Sequence, residues 1–229
     1  MIWYYLENVG DNQVKKIVVI NGSPRINWNT ATLVKEAAEG AKQAGAEIIQ
    51  FNLYRLEKFT GCISCFGCKR EVSLGKCICN DGLKPVLDAI READGLIIGT
   101  PNYLGDVSAA FRALFERLVF QSLTYKKEFR SYNRRSIPVL FIMTSNAPDS
   151  FYGEGGYGDM IERYRQSLNT FVGNTKVMIC GNTLQVNDYT PYGWTMFDPE
   201  SKQERRKEVF PIECAKAREF GREMITQGW

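Results

Sequence analysis

The feature that most constrains the fold is an apolar run followed by a polar loop and a helical pattern. Residues 17–20 are apolar and mostly β-branched, and Gly22 and Pro24 interrupt the run, which predicts a buried strand ending in a turn. Continuous apolarity is typical of a central strand of a parallel sheet. Apolar positions across residues 33–41 then recur on one side of a helix that ends at Gly45.

The loop between this strand and helix carries hydroxyl and amide side chains. Unpaired amides and the helix dipole favour an anion at a helix N-terminus. The loop has neither the spaced glycines of a dinucleotide turn nor the Gly-Lys-Ser/Thr of a P-loop. It therefore predicts a mononucleotide phosphate bound by Ser23, Asn29, Thr30 and Arg25. The alternative is that these residues cap the helix without a ligand.

Strands and helices alternate along the chain, which predicts an α/β fold. The predicted strands are residues 17–20, 46–51, 95–99, 137–143 and 176–180. Such a pattern indicates a parallel sheet covered on both faces, with right-handed crossovers and ligands at the carboxyl ends of the strands. We expect a flavodoxin-like three-layer sandwich with strand order 2-1-3-4-5. Its ligand loops are residues 21–30, 100–106 and 144–149.

The domain organisation predicted from this pattern is one large domain with extensions. Residues 1–14 form an N-terminal extension, and residues 15–229 form the flavodoxin-like domain, with a cysteine-rich loop at 60–81 and a C-terminal extension from about 181. The helical composition of the last thirty or so residues is interrupted by Pro211, where we expect a break.

Charge and hydropathy exclude some classes of partner. The formal net charge of +3 and the absence of a long basic run argue against nucleic acid. Apolar runs are short, and the N-terminus lacks the pattern of a secretory leader, so we expect no membrane partner and a cytoplasmic location.

The chain has no histidine, which excludes Ser-His and Cys-His nucleophilic pairs and imidazole acid–base catalysis. A bound cofactor that carries the reactive atoms would meet this restriction. Seven cysteines without a secretory leader favour free thiols, metal binding or redox work over a disulfide framework.

Five of the cysteines fall in one loop. Cys62, Cys65 and Cys68 are each separated by two residues, and Cys77 and Cys79 follow. This spacing is typical of a [4Fe–4S] cluster with Cys77 as the fourth ligand. Zinc bound by four thiolates and a set of reduced thiols without metal are the alternatives.

Three motifs together carry a resemblance to a known family. Residues 21–30, 61–69 and 100–108 resemble the NAD(P)H-dependent FMN reductase and iron–sulfur flavoprotein group of the flavodoxin-like superfamily. The similarity covers most of residues 15–145, and residues 198–214 resemble the tail of one subgroup.

The resemblance implies three sets of FMN-binding residues. The phosphate set is Ser23, Arg25, Asn29, Thr30 and Ala31. The set beside the isoalloxazine ring is Pro101, Asn102, Tyr103, Leu104 and Gly105, with Asn102 standing where relatives often have an apolar residue. The third set is Thr144, Ser145 and Asn146.

The resemblance also implies the chemistry, which FMN carries without a catalytic side chain. We expect an FMN-dependent oxidoreductase that takes hydride from NAD(P)H and reduces flavin, a quinone or another small acceptor. One alternative is an iron–sulfur flavoprotein that exchanges electrons with a ferredoxin-like partner, and another is an FMN-binding redox sensor without turnover. A homodimer or a higher homo-oligomer is also implied.

Overall fold

A parallel sheet with helices on both faces lies at the centre of the structure, a computed structural model that describes residues 14–153 and 155–229. The strands are β1 (Lys16–Asn21), β2 (Glu47–Asn52), β3 (Gly95–Tyr103), β4 (Asp106–Val107), β5 (Val139–Thr144) and β6 (Thr175–Cys180). The α-helices are α1 (Asn29–Gln43), α2 (Lys84–Glu92), α3 (Ala109–Ser122), α4 (Tyr157–Phe171), α5 (Pro199–Glu208) and α6 (Phe210–Thr226). The predicted N-terminal extension lies outside the described residues, except for Val14.

The sheet order is β2-β1-β3-β5-β6, and all of these neighbours pair in parallel. Without the short β4, this is the predicted order 2-1-3-4-5, so the prediction is confirmed. The short strand β4 was not predicted. It pairs antiparallel with the end of β3 through Asn102↔Val107 and Tyr103↔Asp106, and a strand of two residues is too short to show a hydrophobic period.

The buried strand β1 separates two hydrophobic cores. Val18 and Ile20 pack on the side of α2, α3 and α4, whereas Ile17 and Val19 pack on the side of α1 and α6. Since successive side chains of a strand point to opposite faces, both faces of β1 require apolar residues. This explains the uninterrupted apolar run from which the fold was predicted.

The helical C-terminal segment breaks two residues before the predicted point. Helix α5 ends at Glu208 and α6 begins at Phe210, so Pro211 lies in the first turn of α6. Proline is tolerated there because the N–H that it lacks would have no partner within the helix. None of the helices in residues 14–153 and 155–229 combines the length and the apolar composition of a membrane-crossing segment.

Helices α1 and α6 pack backbone against backbone through two glycines. A Cβ atom on Gly221 would lie 1.8 Å from the carbonyl oxygen of Ala37, and one on Gly40 would lie 1.8 Å from that of Arg218. These distances are far below van der Waals contact, so any side chain at either position would push the helices apart.

We predict that Gly221→Ala destabilises the protein, although alanine is the better helix former. The free energy of unfolding should fall by about 1–3 kcal/mol, the usual cost of overpacking, as measured by urea denaturation. Gly193→Ala is the control, because nothing lies within 4 Å of its added Cβ; its unfolding free energy should change by less than about 1 kcal/mol. Equal effects of the two substitutions would contradict the close helix contact.

Candidate functional site

The N-terminus of α1 has no capping side chain. Its N-cap residue is Trp28, which makes no side-chain cap hydrogen bond, and no acidic residue lies in the first turn. The helix is therefore not capped by a Ser, Thr or Asn side chain, as the alternative assumed. The first-turn N–H groups of α1 lack a side-chain acceptor, so they are open to an anion.

The loop after β1 is shaped by short-range hydrogen bonds and by a close approach to β3. The Asn21 side-chain oxygen accepts from the Ser23 N–H at 3.0 Å, and the Ser23 hydroxyl oxygen accepts from the Arg25 N–H at 3.2 Å. The Gly22 N–H donates to the Gly99 carbonyl at 2.7 Å. A Cβ on Gly22 would lie 2.9 Å from this carbonyl, so glycine is required here.

A cavity of about 230 Å³ lies where the loops after β1, β3 and β5 meet, at the carboxyl ends of these strands. The predicted residues that line it are Ser23, Arg25, Asn29, Thr30, Pro101, Asn102, Tyr103, Thr144, Ser145 and Asn146. The hydroxyl groups of Thr30 and Thr144 are hydrogen-bonded at 2.7 Å, which joins the first and third loops. The structure therefore brings most of the predicted residues together.

Three predicted residues do not line the cavity. The side chain of Ala31 is buried, whereas Leu104 is fully exposed. Leu104 and Gly105 have left-handed backbones, with φ of 56° and 85°. Asn102 holds this turn, since its side-chain oxygen accepts from the Gly105 N–H at 2.9 Å and its amide donates to the Tyr152 hydroxyl at 3.1 Å. These bonds account for a polar residue at position 102.

Sequence reasoning missed the segment that covers the cavity. Thr183, Leu184 and Gln185 complete its lining together with Trp28. The Leu184 carbonyl accepts from the Trp28 indole at 3.0 Å and from the Asn29 amide at 2.7 Å, and the Gln185 carbonyl accepts from Arg25. The acceptors are backbone carbonyls that any residue would supply, so no sequence signal could have revealed these contacts.

Two guanidinium groups flank the ring of Trp28 beside the N-terminus of α1. Arg25 lies 4.9 Å and Arg206 5.8 Å from the ring centroid. Arg206 also donates to the Asn29 side-chain oxygen at 2.7 Å, and desolvation lowers its pKa. In the part of the chain that the structure describes, neither arginine forms a salt bridge. Their positive charges therefore remain available to an anion.

The five cysteines of the cysteine-rich loop line a second cavity, which lies against α3. They are Cys62, Cys65, Cys68, Cys77 and Cys79. The enclosed space is only about 10 Å³, and no three metal-ligating side chains within residues 14–153 and 155–229 are grouped to hold a metal ion. Burial raises the pKa of Cys68, and burial with the neighbouring Cys77 and Cys65 raises that of Cys79 to about 11.

A chain of hydrogen bonds connects the cysteine-rich loop to the turn after β3. The Cys62 N–H donates to Glu116 at 3.3 Å, and Glu116 accepts from the Arg112 Nε at 3.0 Å. Arg112 donates to the Tyr164 hydroxyl at 3.1 Å, which donates to Asp106 at 2.7 Å. The cysteine-rich loop and the turn after β3 are thus joined through one side chain of α4 and two of α3.

A comparison with known protein families decides the relationship. A sequence profile of the NADPH-dependent FMN reductase family matches residues 15–149, more than half of the chain. The chain belongs to this family. The matched range contains the loops after β1 and β3 and the cysteine-rich loop, so the resemblance based on these three motifs is confirmed.

Relatives with curated descriptions are iron–sulfur flavoproteins. One from Methanocaldococcus jannaschii is 39% identical over 102 residues, which are 44% of this chain and 51% of the relative. One from Archaeoglobus fulgidus is 34% identical over 127 residues, which are 55% of this chain and 58% of the relative. The chain thus spans about half the length of the curated relatives it matches.

Solved structures confirm the flavodoxin-like fold of the FMN reductase family. An NAD(P)H:quinone oxidoreductase from Methanothermobacter marburgensis superposes with a TM-score of 0.64 at 17% identity, covering 92% of this chain and 99% of the other. An azoreductase from Bacillus anthracis gives 0.63 at 13% identity, covering 92% and 100%. At these identities the likeness concerns the fold alone.

Lys202 of α5 holds the third loop of this FMN reductase fold. It is 3% exposed, and its ammonium group donates to the side-chain oxygen of Asn146 at 2.6 Å and to the carbonyl oxygen at 3.1 Å. Burial, assisted by the positive charge of Arg205, lowers the pKa of Lys202 to about 8. This buried lysine was not predicted, because its partner lies 56 residues away in the chain.

We predict that Lys202→Met changes how stability depends on pH. An unfolded lysine has a pKa of about 10.4, so between about pH 8 and 10 the unfolded chain binds more protons than the folded protein. The contribution of Lys202 to the unfolding free energy therefore rises with pH. In urea titrations from about pH 7 to about pH 10, the unfolding free energy of the wild type should rise relative to that of the variant. A constant difference would contradict this assignment; the exposed Lys207→Met on the same helix is the matched control.

Proposed function

We propose that this chain binds FMN in the 230 Å³ cavity and reduces flavin, a quinone or another small acceptor with hydride from NAD(P)H. The observation that carries the proposal is the uncapped N-terminus of α1, which faces this cavity. Arg25 and Arg206 lie beside it, and neither forms a salt bridge within the described residues. Membership of the FMN reductase family supports the same ligand. The phosphate of FMN is an anion of the kind that such a helix terminus binds.

The residues at the cavity suit the phosphate end of FMN. Ser23 and Thr30 offer hydroxyl groups, and Ala31, whose side chain points away, offers a first-turn amide. Arg25 and Arg206, which both lie near the ring of Trp28, add positive charge. In this proposal the phosphate replaces the missing cap of α1, which explains why no side chain fills that role.

The turn after β3 suits the ring of FMN. Tyr103 lines the cavity with 46% of its surface exposed, which leaves an aromatic face for a flat ring. Leu104 and Gly105 follow it in left-handed backbone conformations. Bound FMN would carry the hydride and electron transfer from NAD(P)H to the acceptor. The protein positions the ring, and solvent supplies the protons. The absence of histidine is compatible with this division of labour.

The test is anaerobic turnover by protein loaded with FMN. Oxidation of NADPH or NADH should depend on added quinone or free flavin, measured by the loss of nicotinamide absorbance. FMN binding without turnover would favour the redox-sensor alternative. Failure to bind FMN in excess would refute the proposal altogether.

We predict that Ser23→Ala and Thr30→Val each weaken FMN binding by roughly 10-fold or more. A hydrogen bond to a charged group contributes about 1.5–3 kcal/mol, which corresponds to this factor. Quenching of flavin fluorescence on titration measures the dissociation constant. Thr170→Val is the control, since this exposed threonine on α4 bonds only its own helix at Gln166; its affinity should match the wild type.

A second candidate function, electron transfer through an iron–sulfur cluster, is favoured by the five thiols that line one cavity. The curated relatives are named iron–sulfur flavoproteins. The donor chemistry fits a [4Fe–4S] cluster, which supplies single electrons. Arg117 also lines this cavity, and its buried Nε has no hydrogen-bond partner among the described residues. The enclosed 10 Å³ is about the size of one water, so binding requires the loop to move outward. A ferredoxin-like carrier and a homodimer belong to this candidate.

We predict that anaerobically purified protein contains about four iron and four sulfide per chain. Cys68→Ser should lose most of the iron and the broad visible absorption, because Cys68 is the most buried thiol of the loop. Cys214→Ser, in α6 and outside the loop, should keep both. Zinc in place of iron, or no metal, would refute the cluster while leaving the FMN proposal intact.

A further inference from the structure

Arg117 is a buried charge next to the cysteine-rich loop. It projects from α3, is 1% exposed and lines the cavity of the five cysteines. Its Nη1 atom contacts both carboxylate oxygens of Asp81, at 2.6 and 2.7 Å. A buried cation needs such a partner, and Asp81 provides it.

Arg117 and Asp81 fasten the two ends of the cysteine-rich loop. Arg117 donates to the Cys79 carbonyl at 3.0 Å and to the Thr60 carbonyl at 3.4 Å. Asp81 accepts from the N–H groups of Thr60 at 3.4 Å and Leu83 at 3.1 Å. The residues that enter and leave the loop are thus held by one ion pair.

One donor of Arg117 is left over. Among the side chains of residues 14–153 and 155–229, its Nε is the only buried polar atom without a hydrogen-bond partner. Buried donors without partners are rare, because water no longer satisfies them. An arginine side chain stays protonated in proteins, even where it is buried. The group therefore remains charged beside the thiols.

The rest of the cavity wall is suited to a negatively charged sulfur group. Gln121 is buried, and its side-chain oxygen accepts from the Cys77 N–H at 3.0 Å, which fixes that residue against α3. The Lys69 ammonium group contacts the Phe120 and Leu123 carbonyls at the end of the same helix. Lys69 does not line the cavity, but it follows Cys68 in the chain and adds a positive charge to the loop.

We propose that the Arg117 Nε–H donates a hydrogen bond to a sulfur atom of the iron–sulfur cluster, so that this residue sets the reduction potential of the cluster. The inference rests on the cluster proposed above. Reduction adds one electron and hence one negative charge, which a hydrogen-bond donor and a nearby cation stabilise. Arg117 accordingly makes the cluster easier to reduce, in addition to fastening the loop.

The test compares midpoint potentials of anaerobically purified protein, titrated with dithionite and followed by visible and electron paramagnetic resonance spectra. Arg117→Gln removes the charge and the Nε donor, so its potential should move to more negative values. Arg117→Lys keeps the charge but lacks Nε, so a smaller negative shift is expected. Asp81→Asn removes a negative charge and keeps Arg117, so its potential should move in the positive direction.

The opposite signs separate the proposal from a purely structural role. If Arg117 only fastened the loop, Arg117→Gln and Asp81→Asn would lower the iron content alike and leave the potential of the remaining cluster unchanged. Arg222→Gln is the matched control, because this exposed arginine pairs with Glu219 on α6, away from the cavity. Its potential should equal that of the wild type.

The failures of the two proposals are distinguishable. Wild-type protein without iron refutes the cluster, and the inference with it. Wild-type protein with a cluster, but with variants that show no shift or shifts of one sign, overturns the inference alone. Where Arg117→Gln yields no folded protein, Arg117→Lys and Asp81→Asn decide by the same signs.

Discussion

The parallel pairing of β1 between β2 and β3 is the constraint on which the arrangement of both candidate sites depends. Because parallel strands end at the same edge, Asn21 lies beside Asn52 on one side and Gly99 on the other. The Gly22 N–H extends the pairing with one further bond to Gly99. The sheet thereby fixes the first residue of the polar loop. The side chains that follow lie at the same sheet edge as the loops after β3 and β5.

The sequence could predict what depends on local pattern. The apolar run of β1, the polar loop that follows it and the helical period of α1 lie in one continuous stretch, so Ser23, Asn29 and Thr30 could be assigned together. The remaining parts depend on distant backbone. Leu184 contributes a carbonyl group that every residue has, and Lys202 is buried only because the loop at Asn146 lies beside it. Such contacts are set by packing, and no residue pattern encodes them.

The packing of α6 on α1 explains how distant cations reach the first loop. Gly40 and Gly221 let the two helix backbones touch, and the short break between α5 and α6 then leaves α5 beside the start of α1. As a result, Arg206 contacts Asn29 and Lys202 contacts Asn146. A glycine pair with no polar group thus allows α5 to bring Arg206 next to Asn29, which lines the proposed FMN cavity.

The two candidate sites balance charge in different ways, and the difference follows from their proposed occupants. At the start of α1 neither Arg25 nor Arg206 forms a salt bridge within the part of the chain that the structure describes, which suits a phosphate whose negative charge is permanent. In the cysteine cavity Arg117 is already paired with Asp81, and within the described residues its Nε has no hydrogen-bond partner. A group that gains and loses one electron needs a moderate positive charge nearby. A large uncompensated positive charge would stabilise the reduced form so strongly that the electron could not be passed on. The hydrogen-bonded chain from Cys62 to Asp106 then ties the cysteine-rich loop to the turn after β3.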